Sequence, residues 1–238
     1  EPGQILALTF TTKAAQEMMS RLRRLGVAGV EVRTFHSAAL RQLSFFWPSL
    51  TGASLPEIVS RKGPIISKAL DNLSISTTPR VIRDLVSEIE WRKNRDLSVE
   101  EYLSIRSISA SRPIGRLSRD SLVGIHEEYE KVKDQLKKID FEDVLLATLG
   151  MLRDERKIAE QVHSRYSTFL VDEYQDVSPV QQSLLEAWIG NRDDLAVVGD
   201  VGQTIFSFAG ATNEYLLNFP ERYPGAQVIK LENNYRSG

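Results

Sequence analysis

Two adjacent carboxylates closing an apolar run are the chain's most chemically suggestive residues: Phe169-Leu170-Val171-Asp172-Glu173. One carboxylate at a strand end can hold Mg²⁺, directly or through water, and the next can orient or deprotonate an attacking water, as nucleotide hydrolysis requires. Asp-Glu after a strand is more often a solvated turn, so its company matters. The next apolar run ends Val198-Gly199-Asp200 and reaches Gln203, a neutral amide able to touch a γ-phosphate and report its loss. Asn234-Tyr235-Arg236-Ser237 follows a further run. Arg236 there could serve as an arginine finger for a transferring phosphoryl group, and Tyr235 could stack on a base.

Aromatic residues recur at the same kind of position. Phe10 lies at the tip of the first apolar run, beside Thr11 and Thr12, and Phe35 adjoins Thr34 and His36 at the second. Phe206 and Phe208 are two apart, so in extended chain both face one side. Rings beside a Thr/Lys/Ser-rich phosphate track suit sequence-tolerant stacking on single strands. Core packing is the competing reading for any one Phe, and Phe35 is expected in the core.

These residues need a scaffold that gathers run ends. The runs at 5–10, 30–32, 169–171 and 195–198 are continuously apolar and each ends in polar residues, with a fifth candidate at 228–231. Continuous apolarity marks strands buried on both faces, the parallel-sheet pattern. Ala14, Met18, Leu22 and Leu25 repeat at helical spacing before Gly26. Ser178-Pro179-Val180-Gln181 combines a capping box with Pro at the first helical position. Strand–helix alternation predicts an α/β doubly wound sheet, whose ligands bind beyond the carboxyl ends of the strands. Between about 50 and 140 strand signals fade. Helical stretches at 81–91 and 125–139 flank a Ser/Arg-rich segment, 104–121, that reads as loop. The expected organisation is an α/β domain formed by residues 1–50 and 140–238, with a mainly helical insertion at 51–139.

Composition removes other chemistries. The 238 residues include no cysteine, which excludes disulfide scaffolds, thiolate metal sites and a cysteine nucleophile. The three histidines, His36, His126 and His163, lie far apart in sequence. No apolar run approaches the roughly 20 residues of a membrane-spanning helix, and a cytoplasmic location is expected. Net charge is −2, distributed as +3 over residues 1–50, +2 over 51–140 and −7 over 141–238. A mildly basic front suits a polyanion and an acidic rear suits a cation, although uneven solvation explains the same numbers.

Taken together, the blocks resemble the UvrD/Rep/PcrA family of superfamily 1 DNA helicases. Thr9-Phe10-Thr11-Thr12-Lys13-Ala14-Ala15-Gln16-Glu17-Met18 is similar to motif Ia, and Thr34-Phe35-His36-Ser37 to motif Ib. Asp172-Glu173-Tyr174-Gln175-Asp176 resembles motif II, the Walker B box. Residues 198–211, from Val198-Gly199-Asp200 through Gln203 to Ala211, resemble motif III, and Leu231-Glu232-Asn233-Asn234-Tyr235-Arg236-Ser237 resembles motif IV. Asp140-Phe141-Glu142-Asp143-Val144-Leu145-Leu146 fits the segment by which the family returns from its inserted helical subdomain.

The resemblance implies a RecA-like parallel sheet of the P-loop NTPase type and an ATP-driven motor. Such a motor translocates on single-stranded DNA, typically 3′→5′, and separates duplex at single-strand/duplex junctions. By the same resemblance Asp172 and Glu173 would hold Mg²⁺, with Glu173 activating water. Gln203 would couple the γ-phosphate to the DNA site, Arg236 would act as arginine finger, and Tyr235 would stack on adenine. Phe10, Thr11, Thr12, Thr34, His36, Phe206 and Phe208 would line the DNA path. Departures are Ala209 where motif III usually carries Arg, Phe206 for a frequent Tyr, Val201 and Gly202 before the sensor Gln, and Thr12 for a usual Asn. The sequence contains no Gly-Lys dipeptide and so no phosphate-binding P-loop. The family places that loop before motif Ia and a second motor domain after motif IV. The expectation is that residues 1–238 alone neither hydrolyse ATP nor unwind DNA. Two alternatives are the helicase part of a RecB- or AddA-type helicase–nuclease, and a non-catalytic DNA-binding scaffold.

Overall fold

The computed structural model describes residues 1–108, 114–203 and 212–230. The chain opens with β1 (Ile5–Thr9), α1 (Thr12–Arg24), β2 (Glu31–Thr34) and α2 (Phe35–Thr51). A helical block follows: β3 (Glu57–Ile58), α3 (Gly63–Asn72), α4 (Pro79–Asn94), α5 (Val99–Ile108), α6 (Arg119–Gln135) and β4 (Lys138–Ile139). The chain then continues with α7 (Phe141–Asp154), α8 (Arg156–Arg165), β5 (Thr168–Val171), α9 (Pro179–Ile189), β6 (Leu195–Val197), α10 (Glu214–Leu217) and α11 (Phe219–Arg222).

Four strands form one parallel sheet in the order β2-β1-β5-β6. Leu6 of β1 stands level with Glu31 on one side and Phe169 on the other. The chain leaves β1 for β2 on one side, while β5 and β6 add on the other. The strand order therefore reverses between β1 and β5, and in open α/β sheets ligands bind beyond the carboxyl ends of the strands at such a point. Among the described residues β6 is an edge strand, and Val198 just beyond it is 62% exposed.

Side-chain caps set where the helices begin, and so where the loops lie. Thr11 Oγ1 accepts the Ala14 N–H at the head of α1. Thr34 and Ser37 form a reciprocal capping box on α2, and Ser178 and Gln181 form another on α9. Gly190 ends α9 at φ +63°, where a Cβ would stand 2.8 Å from the His163 ring. Such a site favours glycine on both conformational and steric grounds.

The buried apolar residues fall into distinct clusters. The largest joins the sheet to α2, α7, α8 and α9, with Phe35 stacked on Trp188 at 6.0 Å and the Trp188 Nε1–H donating to Gln42 Oε1 at 2.8 Å. A second lies wholly in the helical block, around Ile66, Leu85, Ile89, Ile125 and Tyr129. Phe35 is buried, in line with its expected core role.

Three local expectations are corrected. Residues 104–108, read as loop, belong to α5, because Tyr102 and Leu103 bury into the helical cluster and anchor that helix. The helix expected through Ile139 stops at Gln135. Lys137 turns at φ +52°, and Lys138–Ile139 pairs with Glu57–Ile58 as a short parallel ladder. Residues 228–230 form no strand: Val228 and Ile229 are exposed and have no neighbour to pair with among the described residues. No helix of the described residues is long and apolar enough to cross a membrane.

Candidate active site

The acid pair follows β5, at the carboxyl end of the sheet where the strand order reverses. The Asp172 N–H donates to Leu8 O at 2.9 Å, which sets this carboxylate beside the end of β1. Glu173 follows in the left-handed region at φ +54°, exposed, with its N–H directed to Asp172 Oδ1 at 3.1 Å. That conformation costs a non-glycine residue about 1 kcal/mol. Burial, and then the neighbouring Glu173 charge, raise the Asp172 carboxyl above its ordinary range; the Glu173 N–H and Arg21 oppose the shift. A hard divalent cation suits this donor set: it consists of oxygens only, and a second positive charge would relieve the repulsion between the two acids.

A continuous run of hydrogen bonds leads from Glu173 to Gln203. The Gln175 Nε2–H donates to Glu173 Oε2 at 2.8 Å, and its Oε1 accepts the Asp200 N–H at 3.0 Å. The Asp200 carboxylate accepts the Gly202 N–H at 2.9 Å and the Gln203 Nε2–H at 2.8 Å. Those two donors hold Asp200 below the usual carboxylate range, with the Gln203 amide the larger influence. Gly199 makes the approach of the two loops possible. A Cβ there would lie 2.6 Å from Gln175 Oε1 and 2.8 Å from Leu216. Tyr174 braces the same corner: its N–H donates to Val198 O at 2.9 Å, and its buried hydroxyl donates to Gln182 Oε1 at 2.6 Å.

The family model for the UvrD/REP helicase N-terminal domain matches residues 1–224. This chain belongs to that family. It is 42% identical to the ATP-dependent DNA helicase UvrD2 of Mycobacterium tuberculosis, over 99% of this chain and 35% of that protein. It is 30% identical to UvrD1 of the same organism, over 99% of this chain and 32% of that protein. Identity to PcrA of Leuconostoc citreum is 28%, over 99% of this chain and 31% of that protein. The chain thus spans about a third of the length of the curated relatives it matches.

Around the acid pair, the UvrD/REP domain arranges its remaining expected site residues unevenly. Phe10 is half-buried at the end of β1, its ring centroid 6.3 Å from that of Phe35. Thr11 and Thr12 are exposed at the head of α1. The Thr34 hydroxyl is engaged as the α2 cap, accepting the Ser37 N–H at 3.1 Å. The His36 ring lies flat beneath Phe141, centroids 3.8 Å apart and planes within 10°. Burial and the nearby Lys62 charge lower the His36 imidazole to about 4, so the ring is neutral at pH 7. Phe206, Phe208, Tyr235 and Arg236 lie outside the described residues.

Three residues of this UvrD/REP domain received no role from the sequence. Gln175 and Asp200 carry the link between the loops. Their signal is a pair of polar residues in strand-end motifs, one of which, Gln175, is almost fully buried. Phe141 is the third: 50% exposed, it covers one face of His36, a residue expected to line the DNA path.

Proposed function

We propose that the domain works within an ATP-dependent DNA helicase: it couples ATP hydrolysis to movement on single-stranded DNA and to opening of duplex at single-strand/duplex junctions. The observation that carries this reading is the hydrogen-bonded run Glu173–Gln175–Asp200–Gln203, which ties a water-activating carboxylate to a phosphate-reading amide. Glu173, the exposed member of the acid pair, takes the proton of the water that attacks the γ-phosphorus, while the bond from that phosphorus to the β–γ bridging oxygen breaks and ADP leaves. Asp172 and Glu173 would hold Mg²⁺, which would supply positive charge to neutralise the triphosphate. Gln203 hydrogen-bonds the γ-phosphate and, once that group leaves, falls back on Asp200.

Coupling follows from distance along the chain. Phe206 and Phe208 lie three and five residues beyond Gln203. A shift of the Gln203 amide is therefore passed directly to rings that stack on bases. Phe10, Thr11, Thr12, Thr34 and the Phe141–His36 pair continue the path, with hydroxyls and helix-start amides on phosphates and rings on bases. Since His36 is neutral, it serves as the underside of a stacking platform and not as a phosphate cation. Tyr235 and Arg236 would complete the nucleotide site from the far side, against a second motor domain of the same intact, cytoplasmic protein. Residues 1–50 and 140–238 act as the motor half, with 51–139 as the inserted helical subdomain.

The test is turnover by the full-length protein with Mg²⁺ and ATP, with and without oligo(dT), together with strand displacement on a tailed duplex. Stimulation by the oligonucleotide, lost in Glu173→Gln, supports the reading. DNA binding with no turnover under any condition would return the domain to the scaffold alternative.

A further inference from the structure

Phe141 stands between acids that are all held by lysines of the helical block. Asp140 caps α7: its Oδ1 accepts the Asp143 N–H at 2.9 Å, while Oδ2 takes Lys93 Nζ at 2.7 Å and the Tyr129 hydroxyl at 2.9 Å. Lys133 Nζ adds to Asp140 Oδ2 at 3.3 Å, and both lysines also bind Asp143. Glu142, on the other side of the ring, lies 2.9 Å from Lys62 Nζ, which donates to Glu90 of α4 at 2.7 Å.

This arrangement is costly. Lys93 and Lys133 are each only 2% exposed and Asp140 is fully buried. Burying such charges gains little over a hydrophobic replacement of equal volume. What ion pairs supply that an apolar contact does not is direction, and here they fix the residue at which α7 begins. A slip of one residue along the helix would turn Phe141 by about 100° and take its ring off His36. Glu130, Asp140 and Asp143 come within 4.8 Å of one another, a spacing that suits a cation, and the two ammonium groups already provide the counter-charge.

We infer that Lys93 and Lys133, with Tyr129, are positioning residues for DNA: they clamp the start of α7 so that Phe141 presents a fixed stacking face over His36. The inference rests on the proposed DNA path through Phe141. It assigns the helical block a part in setting that path without itself touching the base.

Two measurements on the full-length protein test it. The first is affinity for fluorescein-labelled oligo(dT) across wild type, Lys93→Met, Phe141→Ala and the double variant. Phe141→Ala is expected to weaken binding about tenfold, the range of one lost base stack. Lys93→Met should weaken wild type several-fold and the Phe141→Ala background hardly at all. Independent, additive losses would overturn the inference, as would an unchanged affinity in Lys93→Met. Should Lys93→Met fail to fold, Tyr129→Phe removes one of the Asp140 bonds without changing charge and enters the same cycle. The second measurement is the ¹⁹F resonance of 4-fluorophenylalanine placed at position 141, which reports the His36 ring directly. It should move toward the free amino acid in the Lys93 or Tyr129 variant, and a fixed resonance would overturn the inference. If Phe141→Ala leaves DNA affinity untouched while the resonance still moves, the DNA path is wrong and the clamp stands.

Discussion

The Gln175 side chain accepts the Asp200 backbone N–H at 3.0 Å, so one buried amide joins the loop after β5 to the loop after β6. Because the same amide holds Glu173 at its other end, Gln175 is the residue through which the acid and the Gln203 loop sense each other.

Replacing Gln175 by Leu therefore removes two bonds at once and leaves the Asp200 N–H without its acceptor. A loss of about 1–3 kcal/mol in stability is expected, read from urea midpoints. DNA stimulation of ATP turnover should fall by about tenfold or more, the scale of a typical coupling free energy. Full stimulation in a folded Gln175→Leu protein would disconnect this bridge from the mechanism.

Gln203→Ala separates sensing from binding. ATP affinity should stay within about twofold of wild type, while the oligo(dT)-stimulated rate drops about tenfold. Equilibrium binding of a fluorescent ATP analogue and a steady-state assay decide it, and unchanged stimulation would remove Gln203 from its sensor role.

Asp172→Asn tests the cation site without any turnover measurement. The Asp172 carboxyl is raised by burial and by Glu173, so its ionised form is disfavoured in the fold. Substitution should leave the melting temperature in EDTA unchanged or slightly higher. Mg²⁺ should raise the melting temperature of wild type, since a ligand of the native state stabilises by mass action, but not that of the variant. An equal Mg²⁺ response in both would place the ion elsewhere.

Two groups give the stability–pH curve separate windows. His36 titrates at about 4 in the fold against an ordinary 6.5, because burial and Lys62 oppose its charge. Between those values the unfolded chain binds the extra proton, so stability falls as pH drops from 6.5 to 4, by at most about 3 kcal/mol. Glu31 runs at about 2 against 4.5: burial alone would raise it, but bonds from Arg33, Tyr166 and Arg165 overcome that. Its stabilisation is complete above 4.5 and is lost as pH falls toward 2. Urea midpoints at stepped pH should show the upper slope vanish in His36→Phe and the lower slope lessen in Glu31→Gln. An upper slope that survives in His36→Phe would assign that window to another group.

Much of the sheet was legible because its signals are local. The apolar runs that became β1, β2, β5 and β6 each end in polar residues, and the Ser178–Gln181 box announces α9 within four residues. What escaped is non-local. Gln175 and Asp200 are 25 residues apart, and Lys93 reaches Asp140 across 47. No periodicity reports such pairs. The β3–β4 ladder is two residues long on each side, too short to show an alternation. The Ser/Arg composition of 104–121 concealed the end of α5, whose anchor residues, Tyr102 and Leu103, lie just ahead of it. Residues 228–230 show the converse: apolar β-formers make a strand only where a partner supplies the other half of the hydrogen bonds.

The two margins of the sheet are unlike. On β2, Glu31 is held by Arg33, by Arg165 at 3.2 Å and by the Tyr166 hydroxyl at 2.8 Å, a charged border of the kind that discourages another strand from annealing. The opposite border among the described residues, β6, offers Leu195, Ala196 and Val197 with no charge among them. Among the described residues only the β6 border is uncharged, so a backbone that extended the sheet there would lie alongside the Gln175–Asp200 bridge.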